Sequence, residues 1–240
     1  PSSSISSSVS PSSSISLSIS PSSSVSPSSS VSLSISPSAS ISPSSSVSPS
    51  MAPPGDRFWV GGTGNWSDDA NHWALTSNGA PGAGNIPTAD CDVFIDSNSG
   101  FSGGGTITVD VGSDCRDFTS SSGHTYTITS TTTLFIYGSF TLESGVTFNV
   151  NNTHLTSPTA GKTVTTAGVT LNSFLTIIGA GSFTLSDDLS TTGGIEILGG
   201  TFDANDKNIT TTNFNFYAYT GNTPTVLMGS GRWAATGIDN

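Results

Sequence analysis

The pentapeptide Gly-Ser-Phe-Thr-Leu occurs twice in this chain, at 138–142 and at 181–185, an offset of 43 residues. Recurrence at that distance restricts the fold more than composition does, because periods of 20–50 residues mark architectures built from stacked repeats. The offset reads as two turns of about 20 residues, a familiar coil length for a solenoid. Gly200-Thr201-Phe202 follows roughly one coil after Gly181, and Gly231-Arg232-Trp233 is a weaker echo after a longer interval. A glycine before a β-branched or aromatic residue suits a coil corner. The glycine takes the tight turn, and the next inward side chain stacks on its counterpart in the coil below.

The residues around these repeats read as strands. From Asp56 onward helix formers are sparse, while Thr, Gly, Asn and Ser dominate with Val, Ile and Phe at alternate positions. Short candidates at 91–96, 106–111, 125–129, 133–137, 147–150, 175–178, 183–186, 195–198, 213–217, 225–228 and 232–235 are punctuated by Gly, Asn or Asp turns. The expected class is all-β, a right-handed parallel β-helix (β-solenoid), with a β-sandwich as the alternative because frequent turns suit that fold too. Phe140, Phe183 and Phe202 discriminate between them, since a solenoid turns all three inward.

Composition changes near residue 55. All 5 Lys and Arg and all 16 Asp and Glu lie from Asp56 onward. Before that, every even position from Ser2 to Ser50 is serine, and the odd positions carry Pro, Ser, Ile, Val, Leu or Ala. Alternation alone would favour a strand, but prolines at 11, 21, 27, 37, 43 and 49 fall on the apolar phase and interrupt any ladder. Residues 1–55 are therefore expected to form a disordered Ser/Pro-rich linker or stalk that leans towards polyproline II. Its hydroxyls also make it a candidate for O-glycosylation, and its period a candidate for a β-rich fibre. Residues 56–100 are expected to form a Trp/Gly-rich N-terminal cap region. Residues 101–240 are expected to form the solenoid coils, cut short at the C-terminus.

A net charge of −11, with Arg57, Arg116, Lys162, Lys207 and Arg232 scattered, argues against nucleic acid and anionic membranes as partners. No run of apolar residues reaches the ~20 needed to span a bilayer. Cys91 and Cys115 have no metal-ligand spacing; they are either a disulfide between adjacent layers or two buried free thiols. His72, His124 and His154 share no ligand pattern, so no metal site and no cofactor is expected. The acidic pairs Asp68-Asp69 and Asp187-Asp188, and Asp90, Asp92 and Asp96 around one strand, read as turn acids before they read as a glycosidase pair. No nucleophile motif is present, and the chain is expected to be non-enzymatic.

Residues 58–73 read Phe-Trp-Val-Gly-Gly-Thr-Gly-Asn-Trp-Ser-Asp-Asp-Ala-Asn-His-Trp. This segment resembles the WxGGxGNWxDxxNW opening of bacterial autotransporter-type adhesins and phage-like environmental β-helix surface proteins. In those it precedes a proline-containing loop, a D-x-x-x-F/I-D strand and a parallel β-helix; here the loop is 79–87 and the strand 92–96. The stretch 181–205 resembles the coils of the same phage-like group, and Ser/Pro stalks accompany such domains. The resemblance implies an extracellular, cell-surface or virion location and carries over no catalytic residue. Trp59, Trp66 and Trp73 have two readings: a cap over the open end of the solenoid, or stacking platforms for glycans. Three functions follow in order: a structural appendage module on a stalk, a carbohydrate-binding adhesin or receptor-recognition module, and a polysaccharide-degrading β-helix enzyme. The partners expected are surface glycans or other copies of the chain.

Overall fold

The computed structural model describes residues 55–219 and 221–239. The Ser/Pro stalk expected over 1–55 lies, apart from its last residue, outside the described residues. The remainder is a parallel β-solenoid, with strands stacked coil upon coil in three columns.

The first column holds β1 (Asp56–Trp59), β4 (Asp92–Asp96), β7 (Phe118–Ser121), β10 (Phe140–Thr141), β13 (Lys162–Thr165), β16 (Ser182–Leu185), β19 (Thr201–Asp203) and β21 (Thr225–Leu227). The second runs through β2 (Gly64–Asn65), β5 (Thr106–Val109), β8 (Tyr126–Ser130), β11 (Val146–Asn149), β14 (Thr170–Leu171), β17 (Leu189–Thr191) and the start of β20 (Ile209–Phe216). The third holds β6 (Ser113–Cys115), β9 (Thr133–Ile136), β12 (Asn152–Leu155), β15 (Phe174–Ile177), β18 (Gly194–Ile197) and the end of β20. β20 serves two columns, and β22 (Trp233–Asp239) pairs with it along both. Every coil-to-coil pairing is parallel. Seven steps of ~4.8 Å along the first column give a ladder of about 34 Å. The sandwich alternative falls, because a sandwich packs antiparallel sheets.

Alternation within each strand sorts residues into a lumen and an outer surface. Phe140 and Phe202 are fully buried and Phe183 nearly so, all within one apolar cluster that runs through the coils. The repeated pentapeptides lie two coils apart, β10 and β16 being separated by β13. Their register differs from a simple superposition: Phe140 stands over Val164 and so in line with Leu185, while Phe183 stands over Lys162 and below Phe202. Gly231-Arg232-Trp233 belongs to another column, since Trp233 pairs with Ile209.

Gly200, at φ 67°, takes the tight turn expected of it, but the two pentapeptide glycines have a different role. A Cβ on Gly181 would lie 2.2 Å from the Thr159 carbonyl oxygen, and one on Gly138 would collide with the Asp117 carboxylate. Both are needed because the neighbouring coil leaves no room there. The core reaches the surface beside the last coil, where Phe214, Phe216, Val226, Met228 and Trp233 line an apolar cavity of about 470 Å³.

Candidate functional site

Asp56 to His72 build the end of the solenoid that carries β1. Between β2 and β4 the chain leaves the coil for a single helical turn, α1 (Asp69–His72), and β3 (Trp73–Ala74), which pairs antiparallel with β1. Trp59, Trp66 and Trp73 are all fully buried. Trp73 meets Trp59 and Trp66 edge to face, at ring-centroid distances of 5.1 and 4.7 Å, and the His72 ring stacks on Trp59 at 4.6 Å. The Trp59 Nε1 donates to the Gly62 carbonyl at 2.7 Å and the Trp73 Nε1 to the Trp66 carbonyl at 2.8 Å. The Trp66 Nε1 is buried with no partner. A sugar ring needs an open indole face, and these three have none, so the glycan-platform reading of Trp59, Trp66 and Trp73 is corrected. They fill the β1 end of the core, with Trp73 supplied by β3 itself.

Cys91 and Cys115 are fully buried, free thiols. Of the two states open from sequence, the structure holds the unpaired one. The Cys91 Sγ lies 3.3 Å from the Thr88 hydroxyl. Burial, followed by the nearby Asp114 and Asp117 carboxylates, pushes the Cys115 thiol well above its ordinary pKa, which disfavours the reactive thiolate.

The acidic residues turn out to be couplers between coils. Asp117 accepts the Ser139 N–H at 2.8 Å, Asp187 the Thr166 N–H at 2.9 Å, Asp188 the Asn208 N–H at 2.8 Å and Asp206 the Ser230 N–H at 2.6 Å. Each of these bonds spans 20 to 24 residues, one coil. Glu143 accepts from the Ser122 N–H and hydroxyl, the Gly123 N–H and the Ser120 hydroxyl, at 2.6 to 3.0 Å. Burial raises the Glu143 carboxyl, but those bonds outweigh it and hold it below the ordinary value. Burial likewise opposes, and Arg116 and the Asp117 N–H reverse, the shift of Asp92, which ends lowered. Arg116 grips Asp92 with two nitrogens at 2.7 and 2.5 Å. A carboxylate is an acceptor-only group, so it suits corners where N–H groups have left the ladder. Asp68 is engaged locally by the Asn71 amide, and Asp69 by the Gly84 N–H.

The three outer surfaces differ. The second column carries threonine and asparagine rungs: Thr106, Thr127 and Thr147 align, and the Asn172 amide donates to Asn149 at 2.6 Å. Aromatic and titratable side chains gather on the third. There Asp114, Phe135, His154, Thr176, Glu196 and Asn215 align coil upon coil, with Thr176 buried in the middle of the row. The His154 ring meets Phe135 edge to face at 5.0 Å, and the Tyr217 hydroxyl donates to Glu196 at 2.5 Å. Burial lowers the His154 pKa against the pull of Glu196, and burial raises the Asp114 carboxyl. Sequence reading missed this column. Its members are 19 to 22 residues apart, and only the hydrogen-bonded register aligns them.

Among the described residues, no group of three or more His, Cys, Asp or Glu side chains is arranged to hold a metal ion. No described helix is long and apolar enough to cross a membrane. The fold and its surfaces define a parallel β-solenoid with one closed end. No family model, curated protein or solved structure matches the chain.

Proposed function

We propose that this chain is a structural module of a surface or virion appendage, a stiff β-solenoid displayed on a Ser/Pro stalk. The observation that carries the reading is the use of the acidic side chains. Asp117, Asp187, Asp188, Asp206 and Glu143 each tie one coil to the next through backbone N–H groups. A solenoid holds together through nearest-neighbour interfaces, so bonds at these corners raise the resistance of the rod to opening between coils. Spending the carboxylates in this way suits a spacer, and the charge-free Ser/Pro segment suits a tether. The resemblance of 58–73 to the opening of adhesin-type and phage-like surface proteins supports the same placement.

Immunogold labelling of intact source cells or particles, with antibodies raised against residues 56–240, tests the reading. Label on the outer surface without permeabilisation is the expected result. Label that appears only after the cells or particles are opened would sink the surface assignment.

A further inference from the structure

We propose that the outer surface of the second column is an ice-binding face, on which two parallel rows of hydroxyl and amide side chains engage the surface lattice of an ice crystal. This inference is independent of the appendage reading, since it rests on the spacing and chemistry of one face of the rod.

The rows follow from strand alternation and register. The first outward row runs Thr106, Thr127, Thr147, Thr170, Ser190 and Thr210, one residue from each successive coil. The second, two residues further along each strand, runs Thr108, Thr129, Asn149, Asn172, Thr192 and Thr212. The residues between the rows, from Ile107 to Thr211, are buried on the lumen side of the same sheet. Neither row slips by a residue along its length. Successive rungs therefore stand ~4.8 Å apart along the axis, and the two rows ~6.6 Å apart across it. Ordinary hexagonal ice repeats at about 4.5 Å along one surface direction and about 7.4 Å along the perpendicular one, close to those two strand spacings. Over the steps of one row the axial difference accumulates to only about 1.5 Å, roughly a third of one repeat, so every rung stays nearest its own lattice site. The difference across the rows arises only once.

Charge and stiffness fit the same partner. Ice is an uncharged lattice, and a charged side chain gives up its hydration shell only at high cost. Neither row holds an ionisable residue, in a chain of net charge −11. The other two faces differ: Asp92, Asp96 and Asp203 stand outward on the first column, and His154 and Glu196 on the third. Threonine is stiff about χ1, so its hydroxyl and methyl hold fixed places on a strand. The second row is tied further. The Thr192 hydroxyl donates to the Asn172 amide oxygen at 3.1 Å, and the Thr212 hydroxyl to the Thr192 carbonyl at 2.9 Å. Hydroxyls and side-chain amides each donate and accept, as every water of the lattice does. A surface already ordered in this way has little entropy left to lose on contact with a crystal.

The test measures the gap between the melting and freezing temperatures of single ice crystals in a nanolitre osmometer, with the full 240-residue chain. Uptake of the protein into a slowly grown ice shell is the second readout. The expected result is a gap with faceted crystals, and enrichment in the ice relative to serum albumin. Thr147→Tyr and Thr170→Tyr each raise a ring above the middle of the first row. Each should remove most of the gap, because the ring holds neighbouring rungs off the crystal. Thr163→Tyr, on the first column, should leave the gap unchanged. All three positions are exposed, and far-UV circular dichroism checks that each variant folds. Absence of both gap and enrichment in the wild type overturns the proposal. So does a gap that both second-column variants preserve, or an equal loss in Thr163→Tyr. Self-association in sedimentation velocity that Thr147→Tyr abolishes, without any gap, would assign the face to a second copy of the chain and overturn it too.

Discussion

Trp66→Phe and Trp73→Phe remove the same atoms from the same closed end, yet the structure separates their costs. Both indoles are fully buried, so the volume lost is common to the pair. Trp73 donates from Nε1 to the Trp66 carbonyl at 2.8 Å. Replacing it by Phe loses a bond of about 1 kcal/mol net and leaves a buried carbonyl short of a donor. Trp66 Nε1 has no partner, so Phe at that position removes a buried polar group whose desolvation costs about 1–3 kcal/mol. The two variants should differ by roughly 2–4 kcal/mol, with Trp73→Phe the less stable. Solenoids open locally, so a global melt would blur the comparison. Native-state hydrogen exchange at β1 and β4 reads it directly. Tenfold faster exchange corresponds to about 1.4 kcal/mol, so Trp73→Phe should exchange there roughly 30- to 10³-fold faster than Trp66→Phe. Amides of β15 and β18, several coils away, should change little in either. Equal exchange in the two variants would refute the hydrogen-bond accounting, and equal acceleration at β1 and β18 would refute the nearest-neighbour picture.

Other consequences are simpler to check. Cys91 and Cys115 should resist a thiol reagent in the native protein and both react after unfolding without reductant; the absence of titratable thiols then would show a disulfide instead. Glu143→Gln tests the corner carboxylate through pH. The folded Glu143 carboxyl lies below its ordinary value, so the stability it adds is present above the usual carboxylate range and lost as pH falls through the lowered value. Unfolding measured between about pH 6 and pH 3 should therefore show a steeper acid-side decline for the wild type than for the variant. Gly181→Ala should destabilise by about 1–3 kcal/mol or more, because its Cβ meets the Thr159 and Ser157 carbonyl oxygens of the neighbouring coil at 2.2 and 2.6 Å. A stability change within about 0.5 kcal/mol by chemical denaturation would show that the coil corner can yield. Arg116→Ala should cost less than about 1 kcal/mol and lose that effect in high salt, since the arginine side chain is 46% exposed.

Local chemistry in the sequence determined a good deal of this protein. Strand periodicity, the scarcity of helix formers and the recurrence of Gly-Ser-Phe-Thr-Leu led to parallel coils with Phe140, Phe183 and Phe202 inside; the first two are read within a few neighbouring residues, and the third needs only a comparison of the chain with itself. The fate of the tryptophans was not legible. A buried indole and an indole open to a sugar have the same local sequence, and the antiparallel return of β3 onto β1 is what brings Trp73 against Trp59. The partners of Asp117, Asp187, Asp188 and Asp206 were hidden for a related reason, since each lies one coil away. The column from Asp114 to Asn215 shows the limit most clearly. Coil length varies with turn length, and a slip of one residue in any strand would send its outward side chains to the lumen. The sequence carries the alternation of each strand; the register that lines up Phe135, His154 and Glu196 is decided by backbone hydrogen bonds between coils.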